Sequence, residues 1–143
     1  SLPVESIVTI LLNTIISEPF ISEFAIRIIF KGINKCSYED FQKEAIELLL
    51  ESDVFALTFD VGHNHGIGGT DEEFIMKHKD RLHHIHLHDA EGTKNHLALG
   101  TGEMDIEKYI NLANKHNCRV VLETKTVEAL RKSVEYLNKK TDL

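Results

Sequence analysis

Cysteine is nearly absent: only Cys36 and Cys118 occur in 143 residues. That excludes a disulfide framework and makes a reducing cytoplasm the expected compartment. No apolar run reaches the ~18 residues needed to cross a bilayer. The longest stretch, Ile7 to Ile16, is short and interrupted. The start lacks a basic segment followed by a small-residue cleavage site, so no secretory leader is expected. Basic clusters are missing apart from Lys139-Lys140, and the formal charge is −7. Nucleic-acid affinity rests largely on neutralising phosphates with Lys and Arg, so a nucleic-acid surface is not expected. There is no internal repeat beyond an alternation of strands and helices.

What is present is ordinary in bulk and unusual in one residue type. The length is one domain's worth, with 42% hydrophobic and 27% charged residues. Eight of the nine histidines, however, fall between His63 and His96. Histidine is the commonest metal ligand and the usual proton carrier near neutrality. The cluster begins where the apolar run Val54 to Thr58 ends in Phe59-Asp60-Val61-Gly62-His63. Such a run reads as a buried strand delivering a carboxylate and an imidazole at its carboxyl end. Strand side chains alternate, so Ala56, Thr58 and Asp60 share one face and Phe55, Leu57 and Phe59 the other.

Taken in order, Pro3 to Ser17 has helical periodicity, with Pro3 in the first turn and Pro19 beyond the end. Phe24 to Phe30 reads as a strand. Ser37-Tyr38-Glu39-Asp40 resembles a capping box opening a helix to about Glu51, with Phe41, Ala45, Leu48 and Leu49 inward. After the Asp60 strand come a loop with Gly66, Gly68 and Gly69 and a short helix from Thr70 to about His78. Leu82 to Asp89 is the third strand, 90–104 a long Gly-rich loop, and Asp105 to His116 a helix. Arg119 to Glu123 is the fourth strand and Thr126 to about Lys139 the closing helix. Strands alternating with helices at this spacing predict an α/β fold of parallel (β/α) units. A (β/α)₈ barrel takes about 250 residues, so four strands and about five helices predict half of a TIM barrel. The expectation is one domain over 1–143, with 1–21 a leading helix and connection.

Asp60, His86 and Glu123 each end a strand, and in parallel α/β folds those ends face the functional side. Two carboxylates and an imidazole there could bind a divalent cation (Mn²⁺, Mg²⁺, Zn²⁺ or Co²⁺), with His63 as a further ligand or substrate contact. The plainer reading makes each a hydrogen-bonded polar group at a strand end. His65 and His88 either line the mouth or are solvated loop histidines. Gly100-Thr101-Gly102 is either a phosphate-binding loop or a flexible turn. Arg119, at a strand's start, belongs to the bottom of the core. Cys36 and Cys118 fall at opposite ends of the sheet and should not pair.

The motifs Phe59-Asp60-Val61-Gly62-His63, His84-Ile85-His86-Leu87-His88-Asp89, His96 to Glu103 and Val121-Leu122-Glu123 resemble, in order, those of the xylose isomerase-like TIM-barrel superfamily. That superfamily includes sugar-phosphate isomerases/epimerases and endonuclease IV. The resemblance covers about residues 22–138 and corresponds to the last four strands. It implies a divalent metal held by four residues at the barrel mouth, three matching Asp60, His86 and Glu123. It also implies isomerisation or epimerisation of a sugar or sugar phosphate, with Glu123 moving a proton and His63 orienting a hydroxyl. His65 and His88 would be further substrate contacts.

The chain departs from the pattern in three places. Arg27 stands where the family has its fourth ligand, a Glu that in sugar epimerases is also an acid/base carboxylate. A guanidinium cannot coordinate a cation, so Arg27 would instead hold a phosphate or carboxylate of the substrate. Lys94 precedes His96 where endonuclease-type sites place an acid, which disfavours AP-endonuclease activity. The first half of the barrel is missing, predicting either a homodimer completing eight strands or a separate N-terminal half. A truncated homologue that binds ligand or metal without turnover is the alternative.

Overall fold

The computed structural model describes residues 28–30 and 38–141. The helix expected over 3–17, Arg27, Cys36 and most of the strand expected from Phe24 lie outside them. Strand β1 (Ile28–Phe30) is followed by helix α1 (Asp40–Leu50) and strand β2 (Phe55–Asp60). Helices α2 (Val61–Gly66) and α3 (Glu72–Lys77) and a single 3₁₀ turn (Lys79–Arg81) lead into β3 (Leu82–Leu87). A hairpin of β4 (Asp89–Glu91) and β5 (Lys94–Leu97) precedes α4 (Ile106–Lys115), β6 (Arg119–Leu122) and α5 (Val127–Thr141). The main sheet has the order β1-β2-β3-β6, all neighbours parallel. This is an open α/β sheet of the kind a partial TIM barrel requires.

Every residue of β2 is buried, as expected for an inner strand of a parallel sheet with both faces covered. Phe55, Leu57 and Phe59 meet the helices, and Phe59 packs edge-on against Tyr109 of α4 with ring centroids 6.0 Å apart. Helix α1 starts two residues later than the sequence pattern placed it. Its N-cap is Glu39, whose N–H donates to the Gln42 side chain at 2.9 Å. Its inward face is also rotated: Ala45, Ile46, Leu49 and Leu50 are buried, whereas Phe41 and Leu48 are exposed. Beneath α1, the Arg81 guanidinium donates to the carbonyls of Leu50 (2.6 Å), Ser52 (2.5 Å) and Phe55 (2.6 Å), closing the turn into β2.

Two further corrections concern connections. No loop follows Asp60: α2 begins at once, with Asp60 as its N-cap accepting from the His63 N–H at 3.1 Å. The same carboxylate thus ends the strand and caps the next helix, which ties it to both elements. The segment 90–104 is not one loop either, because β4 and β5 pair across Gly92-Thr93, where Gly92 takes φ +53°. Strand β3 accordingly stops at Leu87, and Asp89 belongs to the hairpin. Strand β6 forms one edge of the sheet and exposes Arg119, Val120 and Val121. Among the described residues no helix is long and apolar enough to cross a membrane.

Candidate metal centre and its pocket

Sheet register brings the strand ends together. Asp60 is aligned with His86 across the β2–β3 pair, and the Glu123 N–H donates to the Leu87 carbonyl at 3.1 Å. The carboxyl ends of three parallel strands thus raise Asp60, His86 and Glu123 to one rim. Their donor atoms all lie within 4.8 Å of one another. His86 Nδ1 is 2.9 Å from Glu123 Oε2 and 4.0 Å from Asp60 Oδ2. Donors about 2.1 Å from one tetrahedral ion stand roughly 3.4 Å apart, so these separations bracket what a single cation needs. One imidazole and two carboxylates also match the chemistry of a divalent metal. The residues fit the group.

Asp60 is built to stay ionised. Burial would raise its pKa, but hydrogen bonds from His88 and from the His63 N–H outweigh that and hold it at about 2. The surrounding imidazoles are ordered by their partners. Asn95 Nδ2 donates to His63 Nδ1 at 3.0 Å, which leaves the His63 proton on Nε2, 3.9 Å from Asp60 Oδ2. His96 Nδ1 donates to the Glu123 carbonyl at 3.1 Å. The rings of His88 and His96 stack with centroids 4.2 Å apart, and His63 meets both edge-on.

His63 and His96 open onto a cavity of about 610 Å³, also lined by Gly66, Ile67, Thr93, Asn95 and Lys125. That volume lies in the range of small-molecule sites. His88 does not line it. It is wholly buried, because the chain leaves β3 at Leu87 and folds the ring beneath the hairpin. The expectation of a mouth residue is corrected accordingly. His65 also lies outside the lining: its Nε2 pairs with Glu103 Oε1 at 2.8 Å. Glu103 additionally accepts from the Gly92 N–H at 2.8 Å, and this bond, ahead of His65, lowers its pKa. Together they clasp α2 to the hairpin turn.

The Gly100-Thr101-Gly102 loop does bind an anion, but an internal one. Asp89, fully buried, accepts from the N–H groups of Ala90 (2.8 Å) and Met104 (3.2 Å) on Oδ1. On Oδ2 it accepts from Gly100 and Gly102, both at 2.9 Å. A phosphate has no donors left to use there. A Cβ at Gly102 would sit 2.3 Å from the Ala90 carbonyl oxygen, so glycine is required by this approach. Asp89, Asn95, Glu103 and Lys125 were not among the residues read as functional. Only the His88-Asp89 pair and the position of Lys125 just past Glu123 hinted at them.

A profile of the family described as xylose isomerase-like TIM barrel matches residues 23–140. Among curated proteins, the Uncharacterized protein MJ1614 of Methanocaldococcus jannaschii is 30% identical over 122 residues, covering 81% of this chain. The aligned part is 44% of that protein, so the chain spans less than half the length of the relative it matches. No solved structure matches the chain significantly.

Proposed function

The chain belongs to the xylose isomerase-like TIM barrel family, and on that premise we propose that it isomerises or epimerises a sugar or sugar phosphate with a divalent metal. The observation carrying this reading is the rim triad Asp60, His86 and Glu123, with donor atoms within 4.8 Å beside a small-molecule cavity. Asp60, His86 and Glu123 would hold the cation, whose chemistry is to polarise adjacent carbonyl and hydroxyl oxygens and acidify the neighbouring C–H. Glu123, half-exposed at the rim, is the carboxylate that takes and returns the proton. His63 presents its Nε2–H beside Asp60 and orients a substrate hydroxyl, its tautomer held by Asn95. Lys125 on the cavity wall suits a phosphate on the far end of the substrate.

The test has two parts. Mn²⁺ titration of wild type, His86→Ala and Glu123→Gln should show binding by wild type that weakens at least tenfold in both variants. Incubation with aldoses, ketoses and their phosphates in D₂O should then place deuterium on the carbon next to the carbonyl. Cation binding without label in any of them selects a second reading, a homologue that binds ligand without turnover. That reading is favoured by Arg27, which stands in the sequence where the family pattern has its fourth ligand. AP-endonuclease activity is not proposed, since exposed Lys94 occupies the position of the acid.

The same reading extends to assembly. The exposed β6 edge, with Val120 and Val121, invites four further parallel strands. A second copy of the chain or a separate N-terminal half would supply them, and light scattering that returns twice the chain mass selects the first. A stable monomer at micromolar concentration would reject this.

A further inference from the structure

We infer that His88 is the positioning residue of the candidate metal centre: a neutral imidazole that donates from Nε2 to Asp60 and accepts at Nδ1 from the hairpin, locking a metal ligand to β4–β5. The inference rests on the metal reading for its purpose, though not for its geometry. His88 Nε2 lies 3.2 Å from Asp60 Oδ1, and His88 Nδ1 lies 2.9 Å from the His96 backbone N. A backbone N–H can only donate, so Nδ1 is the bare nitrogen and the ring proton resides on Nε2. The Asp89 carbonyl 3.4 Å from Nδ1 is therefore a contact and not a hydrogen bond. A carboxylate accepts at Asp60 Oδ1, which requires that proton. Both ring nitrogens are thereby used, and His88 does not act as a ligand even though it lies within reach of His63 and His96.

Two features are shaped around the ring. Gly62 lies against it so closely that a Cβ there would sit 2.0 Å from His88 Cε1 and 2.2 Å from Nδ1. His96 takes φ +58°, a left-handed conformation disfavoured for a side chain of its size. Such strain persists only where the surroundings hold it in place, and here it directs the His96 N–H at His88. The consequence is a chain of two hydrogen bonds from the hairpin backbone to Oδ1 of Asp60. It sets the carboxylate plane and aims Oδ2 along the rim toward His86.

Partners of this kind, one step removed from the metal, are worth about 10–100-fold in affinity. His88→Leu should therefore raise the Mn²⁺ dissociation constant by about that factor and open the His96 N–H to hydrogen exchange. His88→Gln, whose Nε2 can still donate to Asp60, should recover most of the Mn²⁺ affinity. Packing alone would not produce such a rescue. Long-range ¹H–¹⁵N spectra of the metal-free wild type at pH 7 should show His88 protonated at Nε2 and bare at Nδ1, which decides the matter if the leucine variant does not fold. A proton on Nδ1, or wild-type Mn²⁺ affinity in folded His88→Leu, overturns the inference. If wild type takes up no Mn²⁺, the metal reading falls separately, while the spectra and the His96 exchange still judge the placement of His88.

Discussion

Asp89→Asn is the substitution that most directly questions how the Gly100-Thr101-Gly102 loop is held. The carboxylate is fully buried and accepts four backbone N–H groups, two on each oxygen. An amide of the same shape keeps one oxygen and so can satisfy one pair. Its NH₂ then faces two backbone donors with nothing to accept them. A buried donor left unsatisfied costs ~1–3 kcal/mol, and bonds to a charged acceptor are at the upper end. Relief from burying a charge offsets part of this, leaving about 3 kcal/mol. For a domain of this size each kcal/mol moves the melting temperature by ~2–4 °C, so the variant should melt about 10 °C lower. Thermal and urea denaturation followed by circular dichroism would measure it, with hydrogen exchange reporting the Gly100, Gly102 and Met104 amides. A loss below about 1 kcal/mol, with those amides still protected, would refute the account of Asp89 as the anion that organises the loop.

Three more expectations follow from single contacts. Gly62→Ala drives a methyl into the buried His88 ring and should cost about 2 kcal/mol by overpacking, whereas Gly66→Ala, with 3.8 Å of clearance, should change urea stability little. Ser133 is fully buried, accepts from the Leu99 N–H at 3.1 Å and donates to the Ala129 carbonyl at 2.8 Å. Ser133→Ala strands the Leu99 donor, and denaturation should register ~1–3 kcal/mol. Asp60 titrates from an ordinary 3.8 down to about 2 on folding. The unfolded chain therefore binds the proton first, so its contribution, about 2 kcal/mol, is present above pH ~4 and disappears as pH falls through ~2. Urea midpoints of the metal-free protein between these limits should fall more steeply for wild type than for Asp60→Asn; parallel slopes would contradict it.

The rim triad was legible because it depends on a single rule. Alternation along β2, β3 and β6 puts apolar residues toward helices and polar ones inward, and a parallel sheet lines up the ends. The same rule failed at His88. Alternation along β3 would set it on the face of His84 and His86, but parity lapses once a strand ends, and β3 ends at Leu87. Helix α2 escaped notice because Val61 to Gly66 is a single short stretch with two glycines, stabilised by the Asp60 cap more than by propensity. The hairpin was hidden for a related reason: Asp89-Ala90-Glu91 lacks the β-branched and aromatic residues that mark strands. Its signal was the Gly92-Thr93 pair between extended segments of three and four residues, a two-residue turn read instead as loop composition. The face of α1 was half legible: Ala45 and Leu49 point inward as expected, while Ile46 and Leu50 are buried in place of Phe41 and Leu48.

Arg81 sits at the opposite pole of the sheet, and its three carbonyl contacts carry a consequence for how the fold tolerates change. A guanidinium keeps its charge at any pH the protein will meet, so the join between α1 and β2 is indifferent to acidity, cations and substrate. On the proposed function, cation and substrate are met at the other pole. Sequence drift or redesign among the rim residues can therefore alter what is bound without loosening the base, while loss of Arg81 would be felt as misfolding before any change in chemistry.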